Sequence, residues 1–244
     1  MQYTEPLLEG VLLRRYKRFL ADVRLADGAE LTAHTPNTGS MLGCSDPGSR
    51  VWLRDSANPK RKYRYSWELV ETLGGTLVGI NTALPHTLVR EAVADGTVTE
   101  LQGYARCRPE VRYGQGSRID LLYEGGPDGR PCYVEIKNVT TCDAAGFGFF
   151  PDAVSARGTR HLRELMEVVA AGGRAVLFFC VQRGDVERVR AADEIDPLYA
   201  RTLEEAVAAG VEVLAYGARV RPEGVELTRA LWVEPRGRRP ADCG

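Results

Sequence analysis

Ser117-Arg118-Ile119-Asp120-Leu121-Leu122-Tyr123, a Gly/Pro-rich turn over Gly125–Pro131, and Cys132-Tyr133-Val134-Glu135-Ile136-Lys137-Asn138 are the stretch that decides how this chain is read. Two apolar runs joined by such a turn predict a β-hairpin. Buried strands are normally apolar throughout, yet Asp120 interrupts the first run and Glu135 and Lys137 interrupt the second. Successive side chains alternate across a strand, so Glu135 and Lys137 share one face while Val134 and Ile136 take the other. Asp120, on the partner strand, is expected to lie beside Glu135.

Outward from the hairpin, helices and strands alternate. Pro85 opens a predicted helix over Thr87–Ala94 that ends at Gly96, with Pro near the start and Gly past the end. Strands are predicted near Tyr104–Tyr113, Arg118–Tyr123 and Cys132–Val139, followed by a helix from about Ser155 to Ala170 and a strand over Ala175–Val181. A helix at Leu203–Ala209 and strands at Val211–Tyr216 and Val225–Val233 complete a mixed α/β sheet with helices on its faces. Upstream, Leu8–Leu13, Leu20–Leu25, Glu30–His34, Val51–Arg54, Tyr63–Val70 and Thr76–Ile80 are short alternating strands with Gly-centred turns. That pattern predicts a small antiparallel β-barrel, OB-like in the first instance. The chain is therefore expected to be an α/β (α+β) two-domain protein: an OB-like barrel over 1–84, a mixed-sheet domain over 85–234, and a disordered tail over 235–244.

The 244 residues, 44% of them hydrophobic, are enough for one large or two modest domains with a real core. MQYTEPLLEG lacks the basic start and apolar run of a signal peptide, and no segment reaches the roughly 18 apolar residues of a membrane helix. A cytoplasmic location is the expectation. Six scattered cysteines without a close CxxC pair argue against a structural zinc site or a disulfide framework. A net charge of -1 gives no general pull on polyanions, so nucleic-acid binding must come from local patches. Two such patches interleave cations with aromatics: Arg14-Arg15-Tyr16-Lys17-Arg18-Phe19 and Lys60-Arg61-Lys62-Tyr63-Arg64-Tyr65. Cations meet phosphates and rings stack on bases, although Lys and Arg also guard exposed strand edges.

Two carboxylates and one ammonium at a sheet are a chemical kit. The carboxylates of Asp120 and Glu135 are hard oxygen ligands suited to Mg²⁺, and Lys137 can orient an attacking water and stabilise developing charge. On spacing alone, a salt bridge of Lys137 with Asp120 or Glu135 remains open. The His34–Met41 loop is dense in turn formers, and Gly146-Phe147-Gly148-Phe149-Phe150 reads as a flap or a lid on the core. Ser155 is a good N-cap; Arg157 and His161, i,i+4 neighbours near that helix start, are placed to contact a phosphate. Gln182, ending its strand, is a candidate to approach the site.

Further runs occur in order along the chain: Lys17-Arg18-Phe19, His34 with Asn37-Thr38-Gly39, Lys60-Arg61-Lys62, Gly79-Ile80-Asn81-Thr82, Glu110-Val111 and Tyr113-Gly114. They continue through Ser117-Arg118 with Asp120, Val134-Glu135-Ile136-Lys137-Asn138-Val139-Thr140, Phe150-Pro151-Asp152-Ala153, Arg157-Gly158 and His161-Leu162. With these runs the chain resembles, from about Leu7 to Val233, the sugar fermentation stimulation protein A family. The resemblance implies an N-terminal OB-like domain, a C-terminal PD-(D/E)xK nuclease-like domain, and DNA binding. It maps the nuclease motif onto Asp120 and Glu135-Ile136-Lys137, with Glu110 preferred over Glu91 as a further acidic residue. Pro85-His86 departs from the Pro-Asn expected there. The expected function is Mg²⁺-dependent phosphodiester hydrolysis, with Mn²⁺ able to substitute, on DNA held by Arg14, Lys17, Arg18, Phe19, Lys60, Arg61, Lys62, Arg157 and His161. The alternatives are a non-enzymatic DNA-binding regulator of sugar-fermentation genes and an RNA-directed role.

Overall fold

Short alternating strands build the first sheet: β1 (Leu8–Tyr16), β2 (Leu20–Leu25), β3 (Glu30–His34), β4 (Arg50–Asp55), β5 (Tyr65–Glu71) and β6 (Leu77–Gly79). The structure is a computed structural model and describes residues 1–114 and 116–234; the expected tail, Pro235–Gly244, lies outside the described residues. The strand order is β3-β2-β1-β4-β5-β6, and a parallel pairing of His34 with Ser66 joins β3 to β5, closing five strands into a barrel. Leu12, Val23, Ala33, Leu53, Trp67 and Val70 fill it, with Met41 and Cys44 of the β3–β4 loop as a plug. Lys17 and Arg18 turn the β1–β2 hairpin with φ of 50° and 65°, the left-handed backbone conformation whose turn matches the right-handed twist of the paired strands.

The rest of the chain forms α1 (Pro85–Ala94), β7 (Arg106–Tyr113), β8 (Ser117–Glu124), β9 (Cys132–Val139), β10 (Phe147–Phe150), α2 (Ala156–Ala170), β11 (Arg174–Val181), β12 (Arg188–Ala191), α3 (Pro197–Ala208), β13 (Glu212–Arg221), β14 (Gly224–Ala230) and β15 (Trp232–Glu234), six of whose strands make the second sheet. Its order is β14-β13-β11-β9-β8-β7, with β9, β11 and β13 parallel and the flanking strands antiparallel. All of Ala175–Val181 is buried, as a central parallel strand covered on both faces must be. On one face, Leu88, Val89 and Ala92 of α1 pack with Val134, Ile136 and Phe178, and with Trp52 and Leu69 of the barrel. On the other, Leu162 and Leu165 of α2 and Leu203 and Ala206 of α3 cover Ile119, Leu177 and Phe179. Among the described residues no helix is long and apolar enough to cross a membrane.

Two segments differ from the sequence reading. Phe147–Phe150 is no free flap: β10 runs parallel to β12 and, beyond it, β15 in a small third sheet, and Phe150 packs against Phe179 and Tyr199. The last helix begins at Pro197, upstream of Leu203, because Asp196 caps it by accepting from Tyr199 N at 3.0 Å and Pro197 supplies a preset first turn.

A polar chain couples barrel and sheet. Glu68, fully buried in β5, accepts from Arg54 Nε at 2.9 Å and Asn81 Nδ2 at 2.6 Å. Gln182 Nε2 then donates to Asn81 O at 3.1 Å and to Asn138 Oδ1 at 2.7 Å, one residue beyond Lys137. Removing a buried acceptor strands its donors, so Glu68→Ala is expected to cost about 2–3 kcal/mol. Urea unfolding should show that loss, while truncation of the exposed Glu30 stays within about 0.5 kcal/mol.

Candidate functional site

A fork in the second sheet creates the site. β9 pairs with β11 along its whole length but with β8 only from Cys132 to Val134. Past Leu121↔Val134, β8 continues beside β7 while β9 stays with β11. Ile136 N has lost its ladder acceptor there, and Asp120 Oδ2 takes its place at 2.6 Å. Alternation also breaks at Asp120, since Ile119 packs beneath α2 and Leu121 beneath α1. Across from it, Glu110 falls between the pairs Pro109↔Leu121 and Val111↔Ile119 with φ of 54°. A left-handed backbone costs a non-glycine residue on the order of 1–3 kcal/mol, and such strain collects where function holds it.

The charged groups form two adjoining clusters. In the more exposed one, His86 Nε2 lies 3.2 Å from Asp120 Oδ1 and His86 Nδ1 lies 3.6 Å from Glu110 Oε1. One ligand atom from each of these three residues lies within 4.8 Å of the others, close enough for one metal ion. In the buried cluster, Glu135 Oε1 accepts from Lys137 Nζ at 2.7 Å and is also hydrogen-bonded to His161 Nδ1. Lys137 Nζ stands 3.3 Å from the same His161 nitrogen, and Arg157 Nε meets His161 Nε2 at 3.3 Å. Burial pushes the Glu135 carboxyl up, but the His161 hydrogen bond and the Lys137 charge outweigh it, holding the group below the ordinary carboxylate value. Its second oxygen, Oε2, is buried and has no hydrogen-bond partner. Burial, reinforced by Glu135, Glu164 and Asp120, raises the Tyr113 phenol and keeps it protonated.

Of the residues singled out in the sequence, Glu110 and Asp120 come together, and Glu135 joins Lys137. Glu135 and Asp120 occupy positions that would pair had the β8–β9 ladder continued. His161, read as a phosphate contact, is only 2% exposed; its ring turns inward to Glu135 because it lies on the apolar stripe with Leu162 and Leu165, which leaves only Arg157 at the surface. Glu91 points away and pairs with the chain's amino terminus at 2.5 Å. Gln182 reaches Asn138 rather than the carboxylates. Arg14, Lys17, Arg18 and Phe19 are exposed on or beside the β1–β2 turn, and Lys60, Arg61 and Lys62 on the β4–β5 loop. His86 is the residue that the sequence reading missed; its signal was the Pro85-His86 departure at the start of α1.

Fold and site define a two-domain α+β protein, an OB barrel joined to a mixed-sheet domain that carries an acid–lysine cluster at a strand fork. Residues 13–80 match the SfsA N-terminal OB domain and residues 83–224 the sugar fermentation stimulation protein RE domain. The chain belongs to the sugar fermentation stimulation protein family. It is 61% identical over 235 residues to the homolog from Thioalkalivibrio sulfidiphilus, covering 96% of this chain and 98% of the relative. It is 60% identical over 232 residues to the homolog from Geobacter metallireducens, covering 95% and 98%. The structure of Pyrococcus furiosus SfsA in complex with Ca²⁺ superposes with a TM-score of 0.84 at 30% identity, covering 96% of this chain and 98% of that one.

The Asp120 hydrogen bond raises the His86 pKa; burial opposes it, and the charges of Asp120, Glu110 and Glu135 add to it. For a raised pKa the stabilisation is complete below the unfolded value and is lost as pH rises through the folded one. In metal-free protein, the imidazole NMR titration of His86 should have its midpoint above the ordinary 6.5, and Asp120→Asn should lower it. A wild-type midpoint at or below 6.5 contradicts the pairing.

Proposed function

We propose that the chain is a metal-dependent phosphodiester hydrolase of the PD-(D/E)xK class that acts on DNA. The observation that carries this reading is Glu135 Oε2, a buried carboxylate oxygen without a protein hydrogen-bond partner beside Lys137. An unsatisfied buried acceptor costs on the order of 1–3 kcal/mol, which a purely structural Glu135–Lys137 pair has no reason to bear. A cation ligand removes that cost. Asp120, Glu110 and His86 offer ligand atoms within 4.8 Å of one another, and Glu135 Oε2, from the adjoining cluster, is the further oxygen we assign to Mg²⁺ or Mn²⁺. The Pyrococcus furiosus relative forms a complex with Ca²⁺, a hard divalent ion of the kind proposed for this site.

When bound, such an ion polarises the phosphate and makes a bound water more acidic. The chain's own groups do the rest. Lys137 Nζ, held against Glu135 Oε1, directs positive charge at the attacking water and at the phosphate oxygens as their charge grows. His161 fixes the orientation of Glu135 from behind, as a supporting hydrogen bond does for a metal ligand. Asp120 is held in place by Ile136 N. The barrel's β1–β2 and β4–β5 loops, with Lys17, Arg18, Phe19, Lys60, Arg61 and Lys62 exposed, are the loops with which OB barrels grip oligonucleotides.

Purified protein with Mg²⁺ or Mn²⁺ should cut DNA, and Lys137→Ala or Asp120→Ala should slow cutting at least about 100-fold while binding persists. Equal inertness of wild type and variants across single-stranded, duplex and branched DNA, with binding intact, defeats the hydrolase reading in favour of a non-enzymatic DNA-binding regulator.

A further inference from the structure

The His34–Met41 loop and the Phe147–Phe150 strand take no part in the chemistry above, yet they meet. With Thr82 and Asn138 they enclose a cavity of about 170 Å³ where barrel and mixed sheet join. Phe149 and Phe150 line it together with Asn37, Asn138 and Asp152. The Phe150 ring turns to the core. The Phe149 ring, on the other side of the strand, carries Arg190 over one face at 5.5 Å and has its second face for a further planar group. The two carboxamides are oriented by the protein itself. Asn37 Oδ1 accepts from Gly39 N at 2.8 Å and Asn138 Oδ1 from Gln182 Nε2 at 2.7 Å, so each keeps its amide nitrogen as a donor. Asp152 Oδ2 accepts from Ser40 N and Ser40 Oγ, each at 2.9 Å, which leaves Oδ1 as an acceptor. Asn37 is only 6% exposed, so its amide is a fixed part of the wall.

An aromatic face, that of Phe149, together with a few donors and an acceptor is what a nucleobase needs: a plane to stack on and an edge to read. The position suits this as well. On one side is the cationic β1–β2 turn, where Arg15 Nη2 holds Asn37 O and Gly39 O at 3.1 Å and 2.8 Å and Arg18 Nε holds Thr38 O at 2.9 Å. On the other is Lys137, with Nζ 5.9 Å from the centre of the Phe150 ring. A base still paired in a duplex does not fit so small a space and must first be unpaired, which costs free energy.

We propose that this cavity takes one unpaired nucleobase of a single-stranded or locally opened nucleic acid, so that the neighbouring phosphate is delivered to Lys137. The inference deepens the proposed hydrolase reading and rests on it for the order of events at the site. Substrate choice then lies in strand state. The barrel loops supply general affinity, and the cavity selects strands with a base free to enter.

The test uses the full chain in EDTA, so that cutting plays no part. Oligonucleotides carrying 2-aminopurine at one position at a time are titrated as single strands and as duplexes of equal length and salt, in DNA and RNA arms that show which sugar the pocket accepts. Single strands should bind at least about tenfold tighter than duplexes, with a fluorescence change confined to one position in the bound strand. Phe149→Ala should remove about tenfold of single-strand affinity and leave duplex affinity and the unfolding midpoint unchanged. Equal affinity for single strands and duplexes, or fluorescence that is uniform along the strand, overturns the pocket, and the wild-type position scan decides between these outcomes without any variant. Single-strand preference in a protein that never cuts leaves the pocket standing and defeats only the hydrolase reading; cutting without that preference does the reverse.

Discussion

Every charged group of the site depends on the parting of β8 from β9 after Leu121 and Val134. A ladder that continued would satisfy Ile136 N with backbone and would pair Asp120 with Glu135 as ordinary strand residues. Parting instead leaves a buried donor, which costs on the order of 1–3 kcal/mol if unmet, and Asp120 meets it with one oxygen at 2.6 Å. The other oxygen is thereby aimed at His86 and Glu110. On the β9 side of the fork, Glu135 is taken out of water, which its folded state tolerates because Lys137 and His161 both bind the same oxygen.

The barrel is not an independent appendage to this arrangement. Trp52 and Leu69 belong to the same apolar cluster as α1 and the central strands. Asp152, just after β10, accepts from Ser40 of the barrel's β3–β4 loop, and the run from Glu68 through Asn81 and Gln182 ends on Asn138, beside Lys137. The cationic loops are thus registered against the carboxylates by packing and hydrogen bonds. With a net charge of only -1, the protein exerts no long-range pull on a polyanion, so the proposed binding of nucleic acid rests on that local registration.

Much of this was legible in the sequence because it is local. Alternation and Gly turns marked the barrel strands, the charged interruptions marked Asp120, Glu135 and Lys137, and Ser155 capped α2 as its type suggests, accepting from Gly158 N at 3.0 Å. What escaped depends on distant pairing. β10 and β12 are four residues each and exist through parallel contacts with one another and with β15, which no short window contains. His86 gains its role from Asp120, far along the chain, and Glu110 from a left-handed turn of the backbone that glutamate does not advertise. His161 lies at the margin of an apolar stripe, where helical spacing alone does not say whether a polar residue faces solvent or a buried carboxylate. The start of α3 is readable from Asp196-Pro197, a cap followed by a preset first turn, which outweighs the apolar run that begins at Leu203.

The central claim is that this fork is a divalent-cation site rather than a buried salt-bridge network. Crystals grown with Mn²⁺ and measured at the manganese absorption edge address it most directly. The expected result is one anomalous peak in the fork, ligated by Asp120 and Glu135 with Glu110 or His86 beside them. A fork without manganese, with His86 still on Asp120 and Glu135 Oε2 still partnerless, would contradict it.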